Sequence, residues 1–227
     1  MGLAEDVEAL GVLAEPQRLR VYQHLANGGA ASLTEIAATL DMGRTLAAFH
    51  LGKLVEVGLV EQMPPTVVTG RPGRPSQRYR VSREEISASV PSRHYEWVAE
   101  VLLVAAAEQQ PGEPLAAAAA AVARRQGAVV AAGHRPGRAA RTAKARLTLV
   151  AGLLGDLGYA PREHSGELVL LNCPFDRLRA TNCELVCGIN QALAEGYLDA
   201  LGLDDSLAAT MRPCDGACCV VIEARQA

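Results

Sequence analysis

The sequence predicts a mostly helical α+β protein, and three observations support this fold class. Alanine is abundant, and segments with apolar residues at helical spacing recur along most of the chain. Strand-like runs occur in two places only, within residues 59–81 and after residue 166. The pattern changes near Pro91, which we take as a domain boundary.

Composition limits the classes of function. The chain has 227 residues, 49% of them hydrophobic, which is enough for one large domain or two small ones. Its net charge of −3 means that any affinity for nucleic acid requires a local concentration of Arg and Lys. Unbroken apolar runs are too short to span a membrane, and the first residues do not resemble a signal peptide. We therefore expect a cytoplasmic protein without membrane contact, whose cysteines stay reduced.

The first 60 residues contain clear helix signals. Residues 6–27 read as helical, with Pro16 at the start of a second helix and glycines at its end. Ser32 is a predicted N-cap and Glu35 completes a capping box, so a further helix extends to about Leu40. The turn Asp41-Met42-Gly43 then precedes a helix from Arg44 to about Val57.

A hairpin follows these helices. Leu59–Met63 and Tyr79–Val81 read as strands that flank a loop rich in Gly, Pro and Arg. Helix, three-residue turn, helix and hairpin is the order of a winged helix-turn-helix DNA-binding domain, which we place at residues 1–90. In this motif the second helix presents its N-terminal residues to base edges in the major groove. The predicted DNA-binding residues of this helix are Arg44, Thr45, Ala48, His50 and Lys53.

The hairpin loop supplies a second DNA-binding feature. Residues 66–83 contain five arginines and neither Asp nor Glu, and a hairpin wing on the phosphate backbone or in the minor groove explains them. A solvated basic loop is the alternative interpretation. The predicted wing contacts to DNA are Arg71, Arg74 and Arg78.

Helices dominate the middle of the chain. Residues 92–109, 115–130 and 141–157 read as helices, and we assign 91–140 to a helical linker and dimerisation region. One recognition helix reads about half of an operator, so we expect a homodimer on a palindromic site in double-stranded DNA. The predicted dimer seam is the helix that carries Trp97, Val101 and Leu102.

The remaining segment, 141–227, is predicted to be a small α+β sensor domain that contains all six cysteines. The pairs Cys183/Cys187 and Cys214/Cys218 share a four-residue spacing. On a helix this spacing puts two side chains on one face, so Cys183 and Cys187 would point together if the helix begins by Cys183. Gathered thiolates suit zinc or an iron–sulfur cluster. Buried inert thiols and thiol-based redox sensing are the alternatives. Cys218 and Cys219 open a strand, so at most one of them faces a given site.

The recognition-helix segment from Arg44 to Val60 resembles ArsR-type winged-helix regulators. The Gly-Arg-Pro-Gly-Arg-Pro-Ser wing, followed by Tyr79, resembles the branch that includes SufR-type repressors of iron–sulfur cluster assembly. The resemblance extends to the Asn-Cys segment, a Val-Cys on the next helix and a Cys that heads the last strand. It implies a repressor with a [4Fe–4S] or [2Fe–2S] cluster on Cys173, Cys187 and Cys218 or Cys219.

This sequence departs from the branch by having Cys183, Cys214 and a doubled Cys218-Cys219. Cys214 is a candidate fourth ligand because Asp215-Gly216 can turn the chain back. The predicted ligand set is therefore Cys173, Cys187, Cys214 and Cys218, with zinc as the alternative metal, and we expect Cys183 to matter less.

Two other functions are compatible with these residues. The sensor domain of such a regulator could bind a small organic effector, with the cysteines structural. An enzyme domain would need Cys183 or Cys187 as a nucleophile with a nearby base, and His164 is the sole histidine in the last third of the chain. We therefore expect no enzymatic activity.

Overall fold

The structure, a computed structural model, describes residues 3–64, 76–82, 86–132, 142–212 and 216–225. These residues form two compact units, 1–89 and 90–227, called unit 1 and unit 2 below. Among the described helices, none combines the length and the apolar character needed to span a membrane.

Unit 1 contains helices and a small three-stranded sheet. The sheet is antiparallel, and its order places β3 between β1 and β2. The elements in chain order are α1 (Leu3–Leu13), α2 (Pro16–Gly28), β1 (Ala31–Ser32), α3 (Leu33–Thr39), α4 (Arg44–Glu56), β2 (Val60–Gln62) and β3 (Arg78–Val81).

Local signals fix the helix ends of unit 1. Pro16 stands in the first turn of α2, where a missing N–H costs nothing. Ser32 accepts a hydrogen bond from the Glu35 N–H at 3.3 Å, and the Glu35 carboxylate accepts one from the Ser32 N–H at 2.7 Å. Asp41 turns the chain with φ of 49°, a left-handed conformation that Asp tolerates better than most residues. The predicted capping box and turn are confirmed.

Apolar side chains join the helices of unit 1. Val21 and Leu25 of α2 and Ile36 of α3 are buried with the inner face of α4. That inner face consists of Ala47, Leu51 and Leu54, as the helical spacing predicts.

Unit 2 combines five helices with a four-stranded sheet among its described residues. Its elements are α5 (Tyr95–Glu108), α6 (Leu115–Ala131), α7 (Ala143–Asp156), β4 (Pro161–His164), β5 (Glu167–Leu170), α8 (Asp176–Thr181), α9 (Cys183–Ala200), β6 (Leu207–Met211) and β7 (Val220–Ala224).

The sheet of unit 2 is antiparallel in the order β4-β5-β7-β6. The sequence predicts its two central strands, β5 and β7, from their apolar residues. It does not predict the edge strand β4, because the polar run Arg162–His164 is exposed. β4 is joined to β5 by Ser165 and Gly166, whose φ angles of 52° and 85° are typical of a tight hairpin turn.

Helices α6 and α9 form the most extensive contact between two described elements. Glycine makes this approach possible, because a Cβ at Gly196 would lie 2.0 Å from the Arg124 carbonyl oxygen. A Cβ at Gly127 would lie 2.3 Å from the Leu193 carbonyl oxygen. The two backbones are therefore in direct contact.

The predicted linker at 91–140 does not stand apart from the sensor domain. Helices α5 and α6 share one hydrophobic core with α9 and the sheet, so they belong to unit 2. Val101 is fully buried in this core, and Trp97 and Leu102 pack against it. The side chains assigned to a dimer seam thus contact their own unit, since its core needs them. The large apolar residues exposed on α5 are Leu103 and Val104.

Candidate DNA-binding surface and thiol centre

The outward face of α4 is the candidate DNA-reading surface. Arg44, Thr45 and Ala48 are exposed, as the sequence predicts. Lys53 is half-buried and its ammonium donates to Glu56 at 2.7 Å, so part of its charge is balanced within the helix.

His50 does not lie on this face. Its side chain is buried, with 4% of the residue exposed, and its Nδ1 lies 3.4 Å from the Glu15 carboxylate. The position falls on the same side of α4 as Ala47, Leu51 and Leu54, which pack inward. We therefore remove His50 from the candidate DNA contacts and assign it to packing against the start of α2.

Two apolar residues join the outward face instead. Phe49 is 56% exposed and Leu46 is 46% exposed, although the opposite side of the same helix is buried. Apolar side chains can contact the methyl group of thymine in the major groove. Neither residue was among the predicted DNA contacts, which were limited to Arg44, Thr45, Ala48, His50 and Lys53 on this helix.

The basic wing is described only at its base. Arg71, Arg74 and Arg83 lie outside the described residues. Arg78 contacts Glu35 at 3.3 Å and also donates to the Ala30 carbonyl, while Arg80 pairs with Glu61 across the sheet. These two arginines have acidic partners on neighbouring elements, so the lack of Asp and Glu within residues 66–83 does not leave their charges uncompensated.

In unit 2, three cysteines come together in a cluster that we call the thiol triad. Cys183 and Cys187 occupy successive turns of α9, and Cys219 immediately precedes β7. Their sulfur atoms all lie within 4.8 Å of one another, and those of Cys183 and Cys187 are 3.7 Å apart. Asn182 caps α9 by accepting from the Leu185 N–H at 3.2 Å, so the helix begins at Cys183 and the two thiols share a face.

The triad lies in a partly buried setting beside one arginine. Burial raises the pKa of the Cys187 thiol, and hydrogen bonds with the other two thiols raise it further. Arg179 of α8 supplies a positive charge, since its Nη1 lies 3.7 Å from the Cys219 sulfur. The buried Nε of Arg179 has no hydrogen-bond partner among the described residues.

Two further cysteines form the thiol pair, Cys173 and Cys218. A hydrogen bond with Cys218 lowers the pKa of Cys173 to about 7, against the effect of burial, and the Arg179 charge acts in the same direction. The same hydrogen bond and burial raise the pKa of Cys218. The Asn190 amide donates to the Cys218 sulfur at 3.0 Å, and Tyr159 donates to the Asn190 carbonyl oxygen at 2.6 Å.

Neighbouring residues Cys218 and Cys219 therefore belong to different groups, as alternation along an extended chain predicts. The predicted ligands are divided between them: Cys187 lies in the triad, Cys173 and Cys218 form the pair, and Cys214 lies outside the described residues. Cys183, which we expected to matter less, is a member of the triad. Sequence spacing offered one signal for it, the position four residues before Cys187.

The loop that carries Cys173 is bound to the first residues of unit 2. Arg93 donates to the Cys173 carbonyl oxygen at 3.2 Å and to the Asn172 side chain, and the His94 N–H donates to the Pro174 carbonyl at 3.1 Å. The Asn172 amide donates to the Ser92 carbonyl at 3.2 Å. This loop is thereby connected to the segment that enters unit 2 from unit 1.

Comparison with known proteins identifies the class of unit 1. Residues 13–62 match a family model described as a helix-turn-helix domain, which covers α2, α3 and α4. Neither a curated protein nor a solved structure matches the chain. The protein therefore carries a helix-turn-helix domain of the kind found in DNA-binding transcriptional regulators.

Proposed function

We propose that this regulator binds operator DNA through α4 and controls that binding with a metal centre held by the thiol triad. The observation that supports the metal centre is the meeting of three cysteine sulfurs within 4.8 Å, from two separate segments of the chain. Thiolates so grouped repel one another unless a cation lies between them. A bound metal ion supplies that cation and deprotonates its thiol ligands.

The spacing of two of the donors supports a tetrahedral metal site. In a tetrahedral site with Zn–S bonds of about 2.3 Å, two sulfur ligands lie about 3.8 Å apart. The Cys183 and Cys187 sulfurs are 3.7 Å apart, which matches this spacing. Arg179 would offset the excess negative charge of a three-thiolate site from the Cys219 side.

An iron–sulfur cluster is the second candidate for the same centre. It is favoured by the resemblance to SufR-type repressors and by the all-thiol donors, which such clusters prefer. A [4Fe–4S] cluster would take one thiolate on each iron, so the triad sulfurs would have to move apart to hold it, whereas each iron of a [2Fe–2S] cluster would take two thiolates. Metal and sulfide analysis distinguishes the two candidates.

We also propose a route from the metal centre to DNA. Arg179 contacts the triad at Cys219, and its charge also acts on Cys173 of the thiol pair. The Cys173 loop in turn is hydrogen-bonded to Ser92–His94, where the chain enters unit 2. Loading the triad would draw Arg179 toward the new negative charge and so alter this connection. In a homodimer on a palindromic operator, such a change would alter how the α4 helices of both subunits bind DNA.

The test is metal content in matched cysteine variants purified without oxygen. Cys183→Ser and Cys219→Ser should each lose the metal found in the unaltered protein and change its operator affinity. Cys173→Ser, which alters the thiol pair, is the control and should retain the metal. The proposal fails if the unaltered protein, supplied with zinc or with iron and sulfide, binds no metal. It also fails if Cys173→Ser loses the metal while Cys219→Ser keeps it.

A further inference from the structure

Unit 2 contains an aromatic pocket that the proposed metal centre does not use. Its volume is about 130 Å³, and none of its eight lining residues is Asp, Glu, Lys or Arg. Val130 and Leu157 complete a lining whose other members are His94, Trp97, Tyr159, Phe175, Leu193 and Tyr197.

Three aromatic rings of this pocket pack against one another. Trp97 stacks on Phe175 with ring centres 5.4 Å apart and planes inclined by 26°. Tyr159 meets the same Phe175 edge to face at 6.3 Å. Rings in these arrangements offer both faces and edges to a further aromatic molecule.

Among the lining residues, one buried polar atom lacks a hydrogen-bond partner in the described part of the chain. The hydroxyl of Tyr197 is buried, and it makes no hydrogen bond to any described residue. The Tyr159 hydroxyl, by contrast, is satisfied by Asn190 at 2.6 Å. A buried hydroxyl without a partner is costly, so a ligand that bonds to it gains more than apolar contact alone.

We propose that this pocket binds a neutral single-ring aromatic molecule with one hydrogen-bonding substituent, which pairs with the Tyr197 hydroxyl. The size follows from comparison with an engineered apolar cavity of about 150 Å³, which binds benzene. No Asp, Glu, Lys or Arg lines the pocket and its surface is mainly apolar, which favours a neutral ligand over an ionised one. The ligand would touch Phe175, two residues from Cys173, and His94 at the entry to unit 2.

Trp97 makes the site directly observable, since it is the one tryptophan of the chain. Phenol and toluene, which differ by a hydroxyl in place of a methyl group, serve as probes in parallel titrations. Emission of Trp97, excited at a wavelength that phenol does not absorb, reports occupancy, and calorimetry gives the affinities. We expect phenol to bind more tightly than toluene. Tyr197→Phe should reduce that preference about fivefold, the effect of one lost hydrogen bond.

A pair of valines gives the matched control. Val130 lines the pocket and is 44% exposed, whereas its neighbour Val129 is 75% exposed and does not line it. Val130→Phe should fill the pocket and abolish phenol binding, and Val129→Phe should leave it unchanged. Equal binding in these two variants, or no phenol binding at millimolar concentration, would overturn the proposal. A Cys183→Ser variant should still bind phenol, which separates this inference from the metal centre.

Discussion

The helices of the two units meet through different kinds of contact. In unit 1, α2 and α4 meet through large side chains, with Val21, Leu25 and Leu54 at most 1% exposed. In unit 2, α6 and α9 meet backbone to backbone at Gly127 and Gly196. Side chains in a core can change their rotamers when a neighbour is replaced. Where two backbones are in contact, no side chain lies between them that could do so.

This difference matters for the candidate sites. The reading face of α4 needs only a correctly oriented helix, because its residues are consecutive in the sequence. The thiol triad needs α9 at a fixed distance from the start of β7, since Cys183 and Cys187 lie on the one and Cys219 precedes the other. The close approach of α6 and α9 is part of what fixes that position.

The largest expected effect comes from adding a side chain between α6 and α9. Gly196→Val should lower the free energy of unfolding of unit 2 by about 4 kcal/mol or more, since the atoms it meets are backbone. Hydrogen exchange of peptides from each unit measures this loss, and peptides of unit 1 should keep their protection. Gly188→Ala on the same helix is the control, because a Cβ there meets nothing within 4 Å. A mild effect of Gly196→Val would contradict the backbone contact.

Leu54→Ala probes the corresponding contact in unit 1. Removing this fully buried side chain should lower the free energy of unfolding of unit 1 by about 2–5 kcal/mol. The same exchange measurement should show protection lost in α2 and α4 and retained in unit 2. Loss of protection across both units would show that they do not unfold separately.

The next effect concerns DNA and leaves both cores intact. Arg44→Ala should weaken binding to the cognate operator by about 1–3 kcal/mol and relax sequence preference at one position in each half-site. Phe49→Ala should weaken binding where the operator has thymine and not where uracil replaces it. Binding of the variants to operator libraries checks both. Equal weakening on cognate and random DNA would make Arg44 a backbone contact.

The smallest effect concerns the capping box. Ser32→Ala removes the acceptor for the Glu35 N–H and should lower the free energy of unfolding of unit 1 by about 1 kcal/mol. Denaturant titration followed in unit 1 measures it. Ser32→Asp keeps an acceptor at the N-cap and should retain most of the stability. An equal loss in both variants would show that the side chain acts through its burial and not through the cap.

Local sequence determined most of unit 1. Pro16, the Ser32–Glu35 capping box, the turn at Asp41 and the inward face of α4 are each set by residues within a few positions of one another. Helix caps and apolar periodicity depend on residues only a few positions apart, so they can be recognised in the sequence without knowledge of the tertiary structure. The exceptions are His50 and Arg78, whose partners Glu15 and Glu35 are distant in sequence.

In unit 2 the sequence determined that six cysteines and several helices are present, and the tertiary structure decided how they combine. It placed Cys219 with Cys183 and Cys187, paired Cys218 with Cys173, and formed an aromatic pocket from segments as far apart as His94 and Tyr197. The tertiary structure also revealed the edge strand β4, which the sequence does not predict because its residues are mostly polar and exposed. The physical reason is the same in each case. These features depend on pairing between distant segments, and no periodicity within a single segment encodes its partner.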